Sequence, residues 1–125
     1  LKDFMNKMID IYKNSSDQKI IKIFNLHPKL AIKKKLTNFS SKEQMGAELN
    51  KCTEDEFKEF EKLNFNYKKK FNFPFIIAVK GKNKKEILNN FRKRINNNYQ
   101  TEFNEAKLQV QKIASFRLNE ILNMN

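Results

Sequence analysis

Apolar residues recur at helical spacing along most of the chain, and the breaks in that rhythm mark out its elements. From Lys2 to Lys13, Phe4, Met5, Met8, Ile9 and Tyr12 define the apolar side of a first helix. Ser15-x-x-Gln18 has the form of a capping box and predicts a second, carrying Ile20, Ile21 and Phe24 and ending near Leu26. Pro28 pushes His27 out of the α region and suits the first position of a new helix, Lys29 to Leu36. His27 is then expected at or near an N-cap, with its side chain free to enter a cleft. After the loop Thr37-Asn38-Phe39, Ser40-x-x-Glu43 predicts a capped helix to about Asn50, and Ser41-x-x-Gln44 repeats the pattern one residue on. Thr53-x-x-Glu56 opens another helix, with Phe57, Phe60, Leu63, Tyr67 and Phe71 around its apolar side; Phe65 fits that side less well.

The segment Phe71 to Val79, FNFPFIIAV, interrupts the helical period. Its aromatic and β-branched residues suggest an extended stretch, but Pro74 argues against a central strand. A buried extended connection remains, whose N–H and C=O groups need partners from neighbouring helices or from a ligand. Gly81-Lys82-Asn83 turns the chain into a helix from about Lys84 to Asn96, with Ile87, Leu88, Phe91 and Ile95 facing in. Thr101 is expected to cap the last helix, which reaches about Leu122. At about 100° per residue, Phe103, Ala106, Val110, Ala114 and Ile121 form one stripe, and Arg117 falls within it. A guanidinium there is either paired internally or facing a cavity, because burying it alone is too costly.

The expected class is therefore all-α: a compact multi-helix bundle with one extended connection. Composition agrees. The 125 residues suggest one domain, and Gly 2 and Pro 2 leave little material for the turns of an all-β fold. With no Trp, 12 Phe carry the aromatic packing. A formal charge of +12 favours anionic partners, whether nucleic acid, acidic lipid or a small anion. The lysines are scattered over every helix, so the charge also fits a plain solvated surface. Cys52 is the only cysteine, which excludes an internal disulfide and fits a reducing, cytoplasmic setting. No apolar run is long enough to span a membrane.

Few side chains offer chemistry. His27 is the single imidazole and the best general acid or base near neutral pH. It has no second His or Cys cluster with which to complete a metal site. Ser40 and Glu43 are explained by a capping box, yet a helix mouth also presents N–H groups and a carboxylate to a polar ligand. Gln44 offers a donor and an acceptor, and Arg117 suits planar recognition of a carboxylate, amide or urea-like oxygen. Together these point to a small anionic substrate rich in hydrogen-bonding groups.

Those residues, in order, are His27-Pro28-x-Leu30-Ala31, Ser40-x-x-Glu43-Gln44-x-x-Ala47-x-Leu49, Leu63-Asn64-x-x-Tyr67, Phe71-x-Phe73-Pro74-Phe75-Ile76, Glu102-Phe103 and Ile113-x-x-x-Arg117-Leu118. The set resembles the OHCU decarboxylases of purine catabolism, which act on 2-oxo-4-hydroxy-4-carboxy-5-ureidoimidazoline. The resemblance implies an all-α homodimer that forms (S)-allantoin without metal or cofactor. It implies that His27 is the catalytic proton donor and that Glu43 orients the ureido group or polarises the ring. Pro28, the stretch Ser40, Ser41, Lys42, Glu43 and Gln44, the backbone of Phe75, Ile76, Ile77, Ala78 and Val79, and Arg117 would surround the substrate. Residues 1–125 are expected to form a single such domain lacking the family's N-terminal segment, with its Ser-Pro-Trp-like motif. The chain departs from the family at Glu48 and Asn72, where glycine is usual. The alternatives are a basic helical module that binds nucleic acid, with its lysines on one face, and an inactive truncated family member.

Overall fold

The structure is a computed structural model that describes residues 6, 7, 10, 12–31 and 38–123; of residues 38–41 it describes the helical backbone alone. Five helices follow one another: α1 Asp17–Phe24, α2 Asn38–Gly46, α3 Glu54–Phe71, α4 Lys84–Arg94 and α5 Tyr99–Leu122, with a 3₁₀ turn at Leu49–Lys51. The all-α expectation holds: no strand occurs among the described residues. None of these helices is long and apolar enough to cross a membrane. Of the first predicted helix, residues 6, 7, 10, 12 and 13 are helical, whereas Phe4, Met5, Met8 and Ile9 lie outside the described residues.

Side-chain caps set most helix starts. Thr53 and Glu56 form the predicted capping box of α3, with Thr53 Oγ1 accepting from Glu56 N at 3.2 Å and Glu56 Oε1 from Thr53 N at 2.8 Å. Asn83 caps α4. Two caps differ from the sequence reading: Ser16, not Ser15, caps α1, and Asn98, not Thr101, caps α5 by accepting from the Thr101 N–H. In both cases the cap sits three residues before the amide that needs it. Helix α2 is already formed at Asn38, so Ser40 lies inside it and is not the N-cap, and the helix stops at Gly46.

The helix predicted from Lys29 does not form at its start: residues 28–31 are irregular, and Ala31 has φ +53°. Distant side chains hold this backbone open. Gln44 Oε1 accepts from Ala31 N at 3.0 Å while its Nε2 donates to Lys29 O at 3.2 Å, and Asn64 Nδ2 donates to Leu30 O at 3.0 Å. His27 therefore follows the C-terminus of α1 and is not an N-cap, its N–H donating to Phe24 O. Residues 32–36 of that prediction lie outside the described residues.

Aromatic rings fill the core. Tyr67 is fully buried, with ring centroids of Phe71, Phe75, Phe91 and Phe73 within 4.5–5.9 Å. Phe75 stacks on Phe91 at 3.8 Å. The segment 74–79 is buried along its length and runs beside α5 as the anticipated extended connection. On α5 the inward face is Glu102, Phe103, Ala106, Gln109, Val110 and Ile113. Ala114 and Ile121 are exposed, so the predicted stripe drifts off the core toward the helix end. Basic residues gather in the last turns of α3 and α4, where they offset the helix dipoles without needing a nucleic-acid partner.

Glu48 and Asn72 both adopt left-handed backbone, with φ +64° and +63°. Glycine, which the resemblance leads one to expect at both positions, avoids a cost of about 1 kcal/mol for a Cβ in that region. Asn tolerates it as the C-cap of α3; Glu48, exposed, has no such compensation. Glu48→Gly is expected to stabilise the fold by about 1 kcal/mol, a rise of a few degrees in Tm, and Glu48→Ala is not. Paired thermal melts decide between them.

Candidate active site

Four separate stretches converge on one cleft. The turn after α1 supplies His27, Pro28 and Leu30; α2 supplies Glu43 and Gln44; the extended segment supplies Phe75, Ile76, Ile77 and Val79; α5 supplies Ile113 and Arg117. The cleft has a volume of about 40 Å³. Its walls are largely apolar, with few polar groups set among them, as is usual for small-molecule sites.

Arg117 resolves both halves of its sequence expectation at once. It faces the cleft and is internally paired, with Nη2 at 2.9 Å from Glu43 Oε1 and Nε at 3.3 Å from Glu43 Oε2. The pair is about one-quarter to one-third exposed, so it is neither solvated nor sealed. A fork of this kind holds both side chains in fixed orientation. Glu43 thus spends its carboxylate on Arg117, across 74 residues of sequence.

His27 is fixed by its Nδ1, 3.0 Å from Ile23 O. A carbonyl only accepts, so Nδ1 carries the hydrogen and Nε2 keeps the lone pair for the cleft. Burial is the main influence on the ring and pushes its pKa below the usual 6.5; the Ile23 hydrogen bond opposes this, Arg117 reinforces it, and Glu43 opposes it weakly. Burial therefore favours the neutral imidazole. Protonating it costs folded-state stability, so that contribution is present above the unfolded value near 6.5 and is lost as pH falls through the lower folded value. An anion bound in the cleft offsets the burial. The His27 ring protons are expected to titrate below pH 6.5 in the free protein and at higher pH with an anionic ligand bound. A titration followed by nuclear magnetic resonance reads both midpoints; no upward movement with a bound anion would count against His27 facing the ligand.

Most residues picked from the sequence meet here, but not all in the same way. Gln44 lines the cleft, yet both ends of its amide are engaged with the 29–31 backbone, which makes it a brace for the His27 turn. Lys42 is exposed, lies 3.7 Å from Glu120 and faces the neighbouring groove. Ala78 does not line the cleft; its N–H donates to Gln109 Oε1 at 2.9 Å. The side chains of Ser40 and Ser41 lie outside the described residues.

Sequence reasoning missed a buried ion cluster behind the site. Glu102, with no exposed surface, accepts from Tyr67 Oη at 2.6 Å, from Arg94 Nε at 2.6 Å and from Asn97 Nδ2 at 3.1 Å. Arg94 Nη1 donates to Ile76 O at 2.6 Å, and its guanidinium lies over the Phe75 ring at 4.4 Å. Burial and the hydrogen bond to Glu102 push the Tyr67 hydroxyl far above its usual range, so it serves as a permanent donor. Arg94 ends a basic run, Arg92-Lys93-Arg94, that reads as a solvated helix end; nothing in that run separates it from its neighbours.

The family model for OHCU decarboxylase matches residues 1–119. The chain belongs to the OHCU decarboxylase family. Among its relatives, the "Uric acid degradation bifunctional protein" of Bacillus sp. (strain TB-90) is 47% identical over 116 residues, covering 93% of this chain and 23% of that protein. The 2-oxo-4-hydroxy-4-carboxy-5-ureidoimidazoline decarboxylase of Haloferax volcanii is 34% identical over 107 residues, 86% of this chain and 64% of that one. The chain thus spans about a quarter of the first relative and just under two-thirds of the second. Among solved structures, an OHCU decarboxylase crystallised in the presence of (S)-allantoin superposes with a TM-score of 0.82 at 25% identity, covering 96% of this chain and 80% of that one. The family's all-α architecture is the one found here.

Proposed function

We propose that this chain catalyses the decarboxylation of OHCU to (S)-allantoin in uric acid degradation. The observation that carries the reading is the meeting of His27, Glu43 and Arg117 in one largely apolar cleft. Three stretches far apart in sequence supply them, and each provides a function the reaction needs.

The substrate contains its own electron sink, so the chemistry asks the protein for positioning, electrostatics and one proton. The carboxylate on C4 leaves as CO₂. Its bonding pair forms a C4–C5 double bond, and the π pair of the ring C=N moves to nitrogen, which takes a proton. The enol then returns to a carbonyl at C4 as its hydroxyl loses a proton and C5 gains one. In sum, one carboxylate anion and one proton become neutral allantoin and CO₂. Arg117 offers positive charge to the developing enolate, and the backbone of the 75–79 segment offers N–H groups. His27, charged once the anion offsets its burial, delivers the proton to one face of C5. Glu43 holds Arg117 in register and accepts from the ureido group.

Residues 1–125 are read as one domain of this kind, acting as a homodimer in the cytoplasm. Cys52, a free thiol, fits a reducing compartment. Exposed apolar side chains, chief among them Leu26 and Phe65, fit a face covered by a second copy. The activity is tested by adding the protein to freshly generated OHCU and following its ultraviolet absorbance: the decay rate should rise in proportion to protein concentration. A rate equal to the blank rejects the reading.

A further inference from the structure

The extended segment 75–79 lines the cleft through Phe75, Ile76, Ile77 and Val79, and its backbone groups go where the chain is held. In an extended chain the N–H and C=O groups of successive residues point to opposite edges. Ile76 O and Ala78 N share one edge, and both are taken by buried side chains: Arg94 Nη1 at 2.6 Å and Gln109 Oε1 at 2.9 Å. By the same alternation the N–H groups of Ile77 and Val79 lie on the opposite edge, and both residues line the cleft.

We infer that Gln109 and Arg94 are positioning residues for the decarboxylation, clamping one edge of the 76–78 backbone so that the Ile77 and Val79 amides stay aimed at the reacting ring. The inference rests on the proposed activity. Both side chains are themselves held. Glu102 and Gln109 are seven residues apart on α5, so they lie on the same helix face. Glu102 fixes Arg94, with Tyr67 and Asn97 sharing its carboxylate. Glu105 Oε1 accepts from Gln109 Nε2 at 2.8 Å, which turns the amide oxygen toward the Ala78 N–H. Arg94, Glu102 and Gln109 are all at least nine-tenths buried. The two clamps satisfy buried backbone groups of a segment already seated by the packing of Phe75 on Phe91 and Tyr67. What the clamps add is direction. Donors preset toward developing charge act in the transition state more than in the ground state.

Gln109→Met keeps the volume and removes the acceptor; Gln109→Glu, made in a Glu105→Gln background so that an amide still donates to a carboxylate, keeps an acceptor in place. With OHCU as substrate, well below the melting temperature, Gln109→Met is expected to lower kcat by roughly 10- to 100-fold with KM within about threefold. Gln109→Glu should recover most of the loss, and the Ala78 amide should exchange faster with deuterium in the Met variant alone. If Gln109→Met does not fold, Gln109→Asn, one methylene too short to reach Ala78, replaces it under the same criteria. An active parent with an unchanged kcat in the folded variant overturns the inference and leaves the activity standing. An equal fall in kcat for Gln109→Glu and Gln109→Met also overturns it. A parent with no activity removes the inference together with the proposed function.

Discussion

His27→Ala is expected to lower kcat for OHCU decarboxylation by about 10²- to 10⁴-fold, the usual contribution of a placed proton donor. It should also abolish the preference for one enantiomer. His27 lines the cleft, and an imidazole is the side chain suited to exchanging a proton near neutral pH. Without it, solvent protonates C5 from whichever face is open. The variant should fold. His27 gives up one hydrogen bond to Ile23 O, worth about 1 kcal/mol, and removing a half-buried imidazole also removes the cost of its burial. Kinetics with chiral analysis of the product, alongside a thermal melt, separate lost chemistry from lost structure. A variant that still makes one enantiomer at the parent rate rules out His27 as the donor.

Arg117→Ala should cost about 10²- to 10³-fold in kcat/KM, the range for removing one preorganised charge-stabilising donor. The effect on folding should be far smaller. The Arg117–Glu43 pair is partly exposed, and such pairs contribute at most about 1 kcal/mol after solvent screening. Stability and activity therefore diverge, which marks the residue as functional. Arg117→Lys should recover little, because an ammonium cannot match a fork that meets two carboxylate oxygens at 2.9 and 3.3 Å. Glu43→Gln combined with Arg117→Ala tests whether the two act as a unit: the double variant should lose little more than the worse single one. Losses that simply add would separate their roles.

The sequence carried the helices well where the signal was local. Thr53 with Glu56 is a cap that needs only its own helix. Arg117 was conspicuous because a charge interrupts an apolar stripe, and the dilemma it posed, pairing or cavity, was real; the answer is both. The errors arose where distant residues decide local structure. Pro28 favours a helix start, but Gln44 and Asn64 take the hydrogen-bonding groups of Lys29, Leu30 and Ala31 and keep that backbone irregular. Glu48 gave no sign of its left-handed conformation beyond standing where the family has glycine. Arg94 and Glu102 look like ordinary basic and acidic residues at helix ends, and only the packing of α4 against α5 buries them together. Gln109 reads as a polar residue on a long helix until the extended segment is laid beside it.

The handedness of the product bears most directly on the whole scheme, because spontaneous decarboxylation protonates C5 from either side while a fixed imidazole reaches one. Freshly generated OHCU should be converted by the protein and the allantoin followed by circular dichroism. A large excess of (S)-allantoin, appearing at a rate proportional to the protein added, is the predicted result. Racemic allantoin at the rate of the protein-free solution would contradict it.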